Sequence, residues 1–267
     1  MTKKLTVPDI MAMKVRGEKI TMMTAYDYPT GLLVEKAGID TILVGDSLGM
    51  TVLGYNSTVP VTVDEMIHHT KAVRRGARNT FIVADMPFGS YNAGIPQAIA
   101  NASRFLKEGG ADAVKLEGGT EMADVVEAAV KAGIPVLGHI GLTPQTVTQL
   151  GGYKVQGRDE EKAKKLVEDA LALSRAGAFA VVLECIPKNL AKEITERIPI
   201  PTIGIGAGPF CDGQVLVYND VVGLFEKFTP KFVKRYAELG EAALKGLMKY
   251  NQEVKEGTFP DAEHSFD

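Results

Sequence analysis

A repeated junction between helices and strands constrains this chain more than any other feature of its sequence. Four times, an amphipathic stretch ends in a pair of small residues, and a short run of β-forming residues follows at once. The pairs are Ala37-Gly38, Gly109-Gly110, Ala132-Gly133 and Ala176-Gly177. Glycine just beyond a helix adopts the left-handed conformation that ends it. The repeat therefore predicts helices that lead directly into the strands of a parallel sheet.

Eight short apolar runs are the candidate strands of that sheet. They lie near residues 20–24, 40–45, 80–84, 112–116, 134–138, 179–184, 201–205 and 214–218. Continuous apolar runs are typical of parallel strands that are buried on both faces. Eight of them in a chain of 267 residues favour an α/β fold, the closed (β/α)8 TIM barrel. A doubly wound open sheet is the alternative.

Some segments depart from the regular alternation of strand and helix. Residues 7–16 precede the first strand and predict an extra N-terminal helix that closes the bottom of the barrel. Only residues 206–213 separate strands 7 and 8, so the helix after strand 7 is expected to be degenerate. The last helix is predicted over 229–250, with a polar tail from about residue 251. No low-complexity linker interrupts the chain, so residues 1–267 are expected to form a single domain.

Composition and charge argue against several classes of protein. The formal net charge of −3 provides no strong field for nucleic acid or an anionic membrane. The longest apolar run, 178–183, is far too short to cross a bilayer. Residues 1–17 lack the apolar segment of a signal peptide, so a cytoplasmic protein is expected. The two cysteines, Cys185 and Cys211, are expected to be free thiols in a reducing compartment.

Five consecutive predicted strands end in an ionisable residue. In strand order these residues are Asp46, Asp85, Glu117, His139 and Glu184. The active site of a (β/α)8 barrel lies at the carboxyl ends of its strands. Barrel closure is therefore expected to bring the five side chains into one ring, although they are far apart in the sequence.

Three members of that ring are carboxylates on neighbouring strands, and they predict a metal site. Asp46, Asp85 and Glu117 would repel one another unless a cation lay between them. Oxygen ligands without cysteine suit a hard ion such as Mg2+. Zinc is less suited, because His139 has no HxxxH companion. Lys115 lies two residues before Glu117, on the same face of the strand, and is expected to pair with an acidic substrate or with Glu117.

Seven stretches of the sequence, in order along nearly the whole chain, resemble the ketopantoate hydroxymethyltransferase family. They cover residues 24–27, 44–66, 84–91, 114–119, 138–145, 151–158 and 201–217. The resemblance implies a (β/α)8 barrel that transfers a hydroxymethyl group from 5,10-methylenetetrahydrofolate to 3-methyl-2-oxobutanoate. The product would be 2-dehydropantoate (ketopantoate), made on the route to pantothenate and coenzyme A.

The resemblance also implies roles for individual residues. The Mg2+ site would be formed by Asp46, Asp85 and Glu117, some of them through water. The substrate would be bound by Asp46, Ser47, Asp85 and Lys115, to which we add His139. Glu184 would be the proton acceptor, and the subunits would assemble as a homo-oligomer, commonly a decamer.

Two other hypotheses about the function stay open. One is a different Mg2+-dependent barrel acting on 2-oxo acids, such as a relative of isocitrate lyase or phosphoenolpyruvate mutase, although no KKCGH-like loop is present. The other is a non-catalytic barrel that binds 2-oxo acids. It would keep the metal ligands and would not need Glu184.

Overall fold

The computed structural model describes residues 4–225 and 229–267. The chain divides into two compact units, Met1–Val217 and Tyr218–Asp267. The first unit carries every residue of the predicted ring. The organisation of residues 1–267 as a single domain stays a prediction.

Eight parallel strands form the centre of the first unit. They are β1 (Ile20–Thr24), β2 (Thr41–Val44), β3 (Phe81–Asp85), β4 (Ala113–Glu117), β5 (Val136–Gly141), β6 (Ala180–Glu184), β7 (Thr202–Ile205) and β8 (Gly213–Leu216). Each strand pairs with the next, and β1 pairs with β8, so the sheet is a closed barrel. The predicted TIM barrel is confirmed, and the open doubly wound sheet is excluded.

The first unit has eight α-helices in its described residues. They are α1 (Val7–Arg16), α2 (Tyr28–Lys36), α3 (Leu48–Thr51), α4 (Val63–Gly76), α5 (Ile95–Arg104), α6 (Ala123–Lys131), α7 (Glu160–Arg175) and α8 (Lys188–Arg197). A π-helical turn at Phe105–Gly109 extends α5. Among all described helices, none combines the length and the apolar character needed to span a membrane.

The bottom of the barrel is apolar and is closed by α1, as predicted. Thr6 and Asp9 form a capping box that starts this helix, since each side chain accepts from the other residue's backbone N–H. Ile10 and Met13 are buried and belong to the same core cluster as Phe81 and Ala113 of the barrel strands. The link between β7 and β8 contains no helix, which confirms the degenerate unit there.

Every second side chain of a strand points into the barrel, and these interior side chains are apolar at the bottom and polar at the top. In β4, Ala113 belongs to the interior cluster, and Lys115 and Glu117 follow on the same face of the strand. In β6, Ala180 and Val182 belong to the cluster, and Glu184 follows at the end of the strand. The barrel therefore stacks hydrophobic layers below a layer of ionisable side chains.

The second unit contains α9 (Tyr218–Val221) and α10 (Leu239–Glu256). The prediction that the last helix begins at Thr229 and ends at Tyr250 is wrong at both ends. Before α10, the backbone N–H groups of Tyr236 and Leu239 donate to carbonyl groups of residues 221 and 222 instead of forming helical bonds. At the other end, helix-forming residues continue to Glu256, and Gly257 ends the helix with a φ of 69°.

Replacing Gly76 with alanine is expected to destabilise the barrel. The added Cβ would lie 2.2 Å from the Tyr28 carbonyl oxygen, because α2 and α4 approach closely there. Overpacking of this kind costs about 1–3 kcal/mol, measurable as a lower urea midpoint. Gly246→Ala is the control, since no heavy atom lies within 4 Å of that Cβ, and it should raise stability by about 0.5–1 kcal/mol. Equal effects of the two substitutions would contradict close packing at Gly76.

Candidate active site

Strand register brings the predicted ring residues together at the top of the barrel. Asp85 of β3 is in register with Lys115 of β4. Glu117 of β4 is in register with His139 of β5. Glu184 ends β6, and Asp46 follows β2 by two residues. All the ring residues except Glu184 are at least nine-tenths buried, and the Glu184 side chain is 16% exposed.

Asp85 connects two of the neighbouring strand ends. Its Oδ2 accepts a 2.9 Å hydrogen bond from the backbone N–H of Asp46. Its Oδ1 lies 3.1 Å from Nζ of Lys115, within ion-pair distance but without hydrogen-bond geometry. A buried carboxylate oxygen without a hydrogen bond is costly. Asp85 therefore presents one oxygen that is suited to a cation.

Asp46 and Ser47 form the β2 side of the site. Oδ2 of Asp46 accepts a 2.8 Å hydrogen bond from the side-chain amide of Gln145. The Ser47 hydroxyl lies 2.8 Å from the hydroxyl of Tyr26, which follows β1. The loop after β2 is thus fixed from both sides, by the chain after β1 and by the chain after β5.

His139 links Glu117 to Glu184 across the top of the barrel. Its Nδ1 lies 3.4 Å from Oε1 of Glu117 and 3.1 Å from Nζ of Lys115. Its Nε2 lies 3.2 Å from Oε2 of Glu184. A protonated ring offers Nδ1–H to Glu117, whereas a neutral ring accepts from Lys115 at the same nitrogen. The protonation state of the His139 imidazole therefore affects the charges of Glu117 and Lys115 on one side and of Glu184 on the other.

The carboxylates have different pKa values because their surroundings differ. Burial, together with the charges of Asp85 and Glu117, raises the pKa of Asp46 well above its usual range. Burial also raises the pKa of Asp85, although Lys115 opposes the effect. The pKa of Glu117 is lowered despite its burial, because His139, Lys115 and the backbone N–H of Gln145 favour its anion. The anionic charge is thus least compensated at Asp46 and Asp85.

His139 is held towards its protonated form. Burial and the charge of Lys115 lower its pKa, but Glu117 and Glu184 outweigh both and raise it to about 9. Asp85, Glu117 and Asp46 raise the pKa of Lys115 against the effect of its burial, with Asp85 contributing most. Both cations are thus stabilised by the acidic residues that surround them.

The charges of the site fit a divalent cation. With all three ionised, Asp46, Asp85 and Glu117 carry two formal negative charges more than the single ammonium group of Lys115 offsets, while protonated His139 balances Glu184. Within residues 4–225 and 229–267, no three His, Cys, Asp or Glu side chains converge closely enough to ligate one metal ion together. Mg2+ commonly takes one or two carboxylates and completes its shell with water and substrate. The donor set therefore fits Mg2+ with water between the ion and part of the protein.

The structure adds two residues that the sequence analysis missed, Gln145 and Tyr91. Both are buried, with exposures of 4% and 2%. The Tyr91 hydroxyl donates to Oε1 of Gln145 at 2.7 Å and accepts from the backbone N–H of Glu117 at 3.2 Å. Each lies at the end of a stretch that carries the family resemblance, residues 84–91 and 138–145. The sequence analysis selected residues that are charged at neutral pH and that end a strand. Gln145 and Tyr91 carry no such charge, so this criterion did not identify them.

A cavity of about 620 Å3 borders the ring at Glu117. Its walls include Glu117, Gln145, Glu121, Leu166 and Asp169. The other ring residues do not line it. The ionisable cluster, and not this cavity, is therefore the candidate for the chemistry.

Comparison with known sequences agrees with the resemblance described above. The sequence model of a family described as ketopantoate hydroxymethyltransferase matches residues 4–262. A relative from Moorella thermoacetica is 63% identical over 263 residues, which cover 98% of each chain. A relative from Thermus thermophilus is 61% identical over 251 residues, which cover 94% of this chain and 96% of the relative. Both are named 3-methyl-2-oxobutanoate hydroxymethyltransferase.

Solved structures with the same architecture are more distant in sequence. A phosphoenolpyruvate phosphomutase from Streptomyces platensis subsp. rosaceus aligns with a TM-score of 0.62 at 17% identity, covering 95% of this chain and 88% of its own. A 2,3-dimethylmalate lyase, a member of the PEP mutase/isocitrate lyase superfamily, aligns with a TM-score of 0.60 at 15% identity, covering 97% and 91%. At such identities the likeness establishes the barrel fold alone.

Proposed function

Because this chain belongs to the ketopantoate hydroxymethyltransferase family and is a transferase enzyme, we propose that it uses Mg2+ and 5,10-methylenetetrahydrofolate to convert 3-methyl-2-oxobutanoate into 2-dehydropantoate. The single observation that carries the metal-dependent part is the group of three buried carboxylates, Asp46, Asp85 and Glu117, of which the last two lie within 4.0 Å of the ammonium group of Lys115. A 2-oxo acid and a reduced folate are the small-molecule partners. The product would be the first committed intermediate of pantothenate and coenzyme A synthesis.

The metal would be held on the side of the ring formed by β2, β3 and β4. Asp46 and Asp85 suit direct ligation, because their anionic charge is the least compensated. Glu117 already accepts a hydrogen bond from the Gln145 N–H and faces His139, so it suits contact through water. When bound, Mg2+ supplies positive charge that stabilises the negative charge developing on the substrate's oxygens.

The anionic substrate would lie among Asp46, Ser47, Asp85, Lys115 and His139. Lys115 is the buried ammonium group of the ring and offsets the charge of the substrate carboxylate. The Ser47 hydroxyl, positioned by Tyr26, is available to hydrogen-bond a substrate oxygen. A binding surface with fixed donors is favourable, because little reorganisation is needed when charge develops.

Glu184 is proposed to remove the C3 proton of the 2-oxo acid. It is the most exposed carboxylate of the ring, and its Oε2 lies within ion-pair distance of Nε2 of His139, at 3.2 Å. Loss of the C3 proton allows a bond to form between C3 and the methylene carbon of the folate. Both bonds from the methylene carbon to the folate nitrogens must break: one gives way to the new bond to C3, and the other to a water that supplies the hydroxyl oxygen. The two nitrogens gain one proton each, the C3 proton returned by Glu184 or His139 and one proton of the water. Positioned acid–base groups of this kind contribute about 100- to 10,000-fold.

The remaining expectations for this protein also belong to the proposal. The family resemblance supports a homo-oligomer, commonly a decamer, and the composition supports a cytoplasmic location. No nucleic acid or membrane partner is proposed, because the net charge is only −3. The lyase, mutase and sensor alternatives are not proposed, since no feature of the site favours them over the transferase.

Chelation of Mg2+ is expected to stop both steps of the reaction. The protein is incubated with 3-methyl-2-oxobutanoate in D2O, and the C3 proton is followed by NMR. With Mg2+ the C3 signal should disappear, and methylenetetrahydrofolate should then give the hydroxymethyl signals of the product. With EDTA the C3 signal should persist, because the developing charge is no longer stabilised.

The controls separate the parts of the proposal. Excess Mg2+ added after EDTA should restore exchange, which excludes irreversible damage by the chelator. Exchange that proceeds equally with EDTA would overturn the metal-dependent mechanism. Persistence of the C3 proton under every condition, without product, would overturn the assigned substrate.

A further inference from the structure

Gln145 is a buried amide whose hydrogen-bonding groups are all used. It lies in the short 3-10 helix Pro144–Thr146 that follows β5 and is 4% exposed. Its Nε2 donates to Oδ2 of Asp46 at 2.8 Å and to the carbonyl of Met86 at 3.0 Å. Its Oε1 accepts from the Tyr91 hydroxyl at 2.7 Å.

This set of partners allows one orientation of the amide. A primary amide has two N–H donors and one carbonyl acceptor. Both donors meet acceptors, the Asp46 carboxylate and the Met86 carbonyl. The reversed amide would place its oxygen against those two acceptors. The two acceptors therefore select the orientation in which Gln145 donates to Asp46, and the Tyr91 hydroxyl stabilises it by donating to the amide oxygen.

The backbone of Gln145 binds a second carboxylate of the ring. Its N–H donates to Oε2 of Glu117 at 3.0 Å. One residue thus contacts Asp46 after β2 and Glu117 at the end of β4, which are separated by β3 in the barrel. Through Met86, it also contacts the chain just after Asp85. Gln145 is the common partner of the chain segments that carry all three carboxylates.

We propose that Gln145 is a positioning residue that sets the separation and orientation of Asp46 and Glu117 for a divalent cation. This inference rests on the proposed function. Partners of metal-binding carboxylates fix the direction of the ligand oxygens, and their loss typically costs about 10- to 100-fold in metal affinity. Gln145 acts through Asp46 and Glu117 and is not itself a metal ligand.

The test compares Mg2+ binding by the unaltered protein and by Gln145→Met, using isothermal titration calorimetry in the absence of substrate. Methionine keeps the length of the side chain and its backbone N–H, but removes the amide donors and acceptor. The expected result is a Kd for Mg2+ that is about 10- to 100-fold higher. In activity assays, the lost turnover should return as Mg2+ is raised, with the limiting kcat changed less than the Mg2+ requirement.

Gln149→Met is the matched control. It makes the same chemical change four residues further along, at an exposed position, and should leave the Kd for Mg2+ unchanged. Tyr91→Phe is the second variant, which serves if Gln145→Met does not fold. It removes the hydroxyl that donates to the amide oxygen of Gln145 and should raise the Kd by roughly 2- to 10-fold.

The outcomes distinguish this inference from the proposed function. If the unaltered protein binds no Mg2+, the metal-dependent function fails, and the inference fails with it. If the unaltered protein binds Mg2+ and both variants bind it equally well, the proposed function stands and the role of Gln145 is refuted. Loss of turnover in Gln145→Met that no Mg2+ concentration restores, at an unchanged Kd, would likewise refute it.

Discussion

Asp85→Asn is expected to abolish Mg2+-dependent turnover while the barrel still folds. The substitution keeps the shape of the side chain and an acceptor for the backbone N–H of Asp46, which lies 2.9 Å from the native oxygen. It removes the charge that faces Lys115 and that would face the metal. Metal charge stabilisation contributes several kcal/mol to a transition state, so kcat/KM should fall by about 1,000-fold or more. Steady-state kinetics with saturating Mg2+ measure the loss.

Asp124→Asn provides the comparison for this charge change, because Asp124 is exposed on α6. Its kinetics should match those of the unaltered protein, and circular dichroism should show folded protein for both variants. Retention of full activity by folded Asp85→Asn would remove Asp85 from the proposed metal site.

Glu184→Gln is expected to bind the 2-oxo acid and to lose turnover. Glutamine preserves the size of the side chain but cannot accept the C3 proton. Because Glu184 lies at the end of the ring away from Asp46 and Asp85, the metal and substrate contacts proposed there are kept. The expected fall in kcat is about 100- to 10,000-fold, with little change in KM. C3 proton exchange in D2O should fall in parallel.

Glu193→Gln serves as the reference variant, since Glu193 is exposed on α8 and pairs with Arg197. It should exchange the C3 proton at the native rate. The same native rate in Glu184→Gln would show that another group removes the proton. A non-catalytic barrel would instead tolerate Glu184→Gln with unchanged ligand binding and would show no turnover in any form.

The barrel could be predicted because its strands carry strong local signals. Continuous apolar runs, four of them directly after helix-ending glycines, predict all eight strands to within a few residues. The largest displacement is at β5, which begins at Val136 and continues to Gly141. Pro135 has no N–H to donate to the sheet, whereas the prediction included it. His139 consequently lies inside the strand and not after it.

The ring residues and their place at the strand ends could be predicted, but the hydrogen bonds that link them could not. Strand ends of a barrel meet at one rim, so ionisable residues there are expected to be neighbours. The bridge made by Gln145 depends on where a short helix after β5 turns, and the sequence pattern does not determine that geometry. The start of α10 was misplaced for a related reason. The segment before it bonds to carbonyl groups near residue 221, which local propensity cannot reveal.

Closure of the barrel between β1 and β8 has a consequence for the way the chain acquires its structure. Ile20 pairs with Gly213, so about 190 residues must be synthesised before the first strand meets its second neighbour. At a typical rate of translation this delay is roughly 10 to 40 s. Pairing across such a distance makes the final closure slow relative to local helix formation. The strands that carry Lys115, His139 and Glu184 are consecutive and are synthesised before β8, so we expect these ionisable residues to be brought together before the barrel closes.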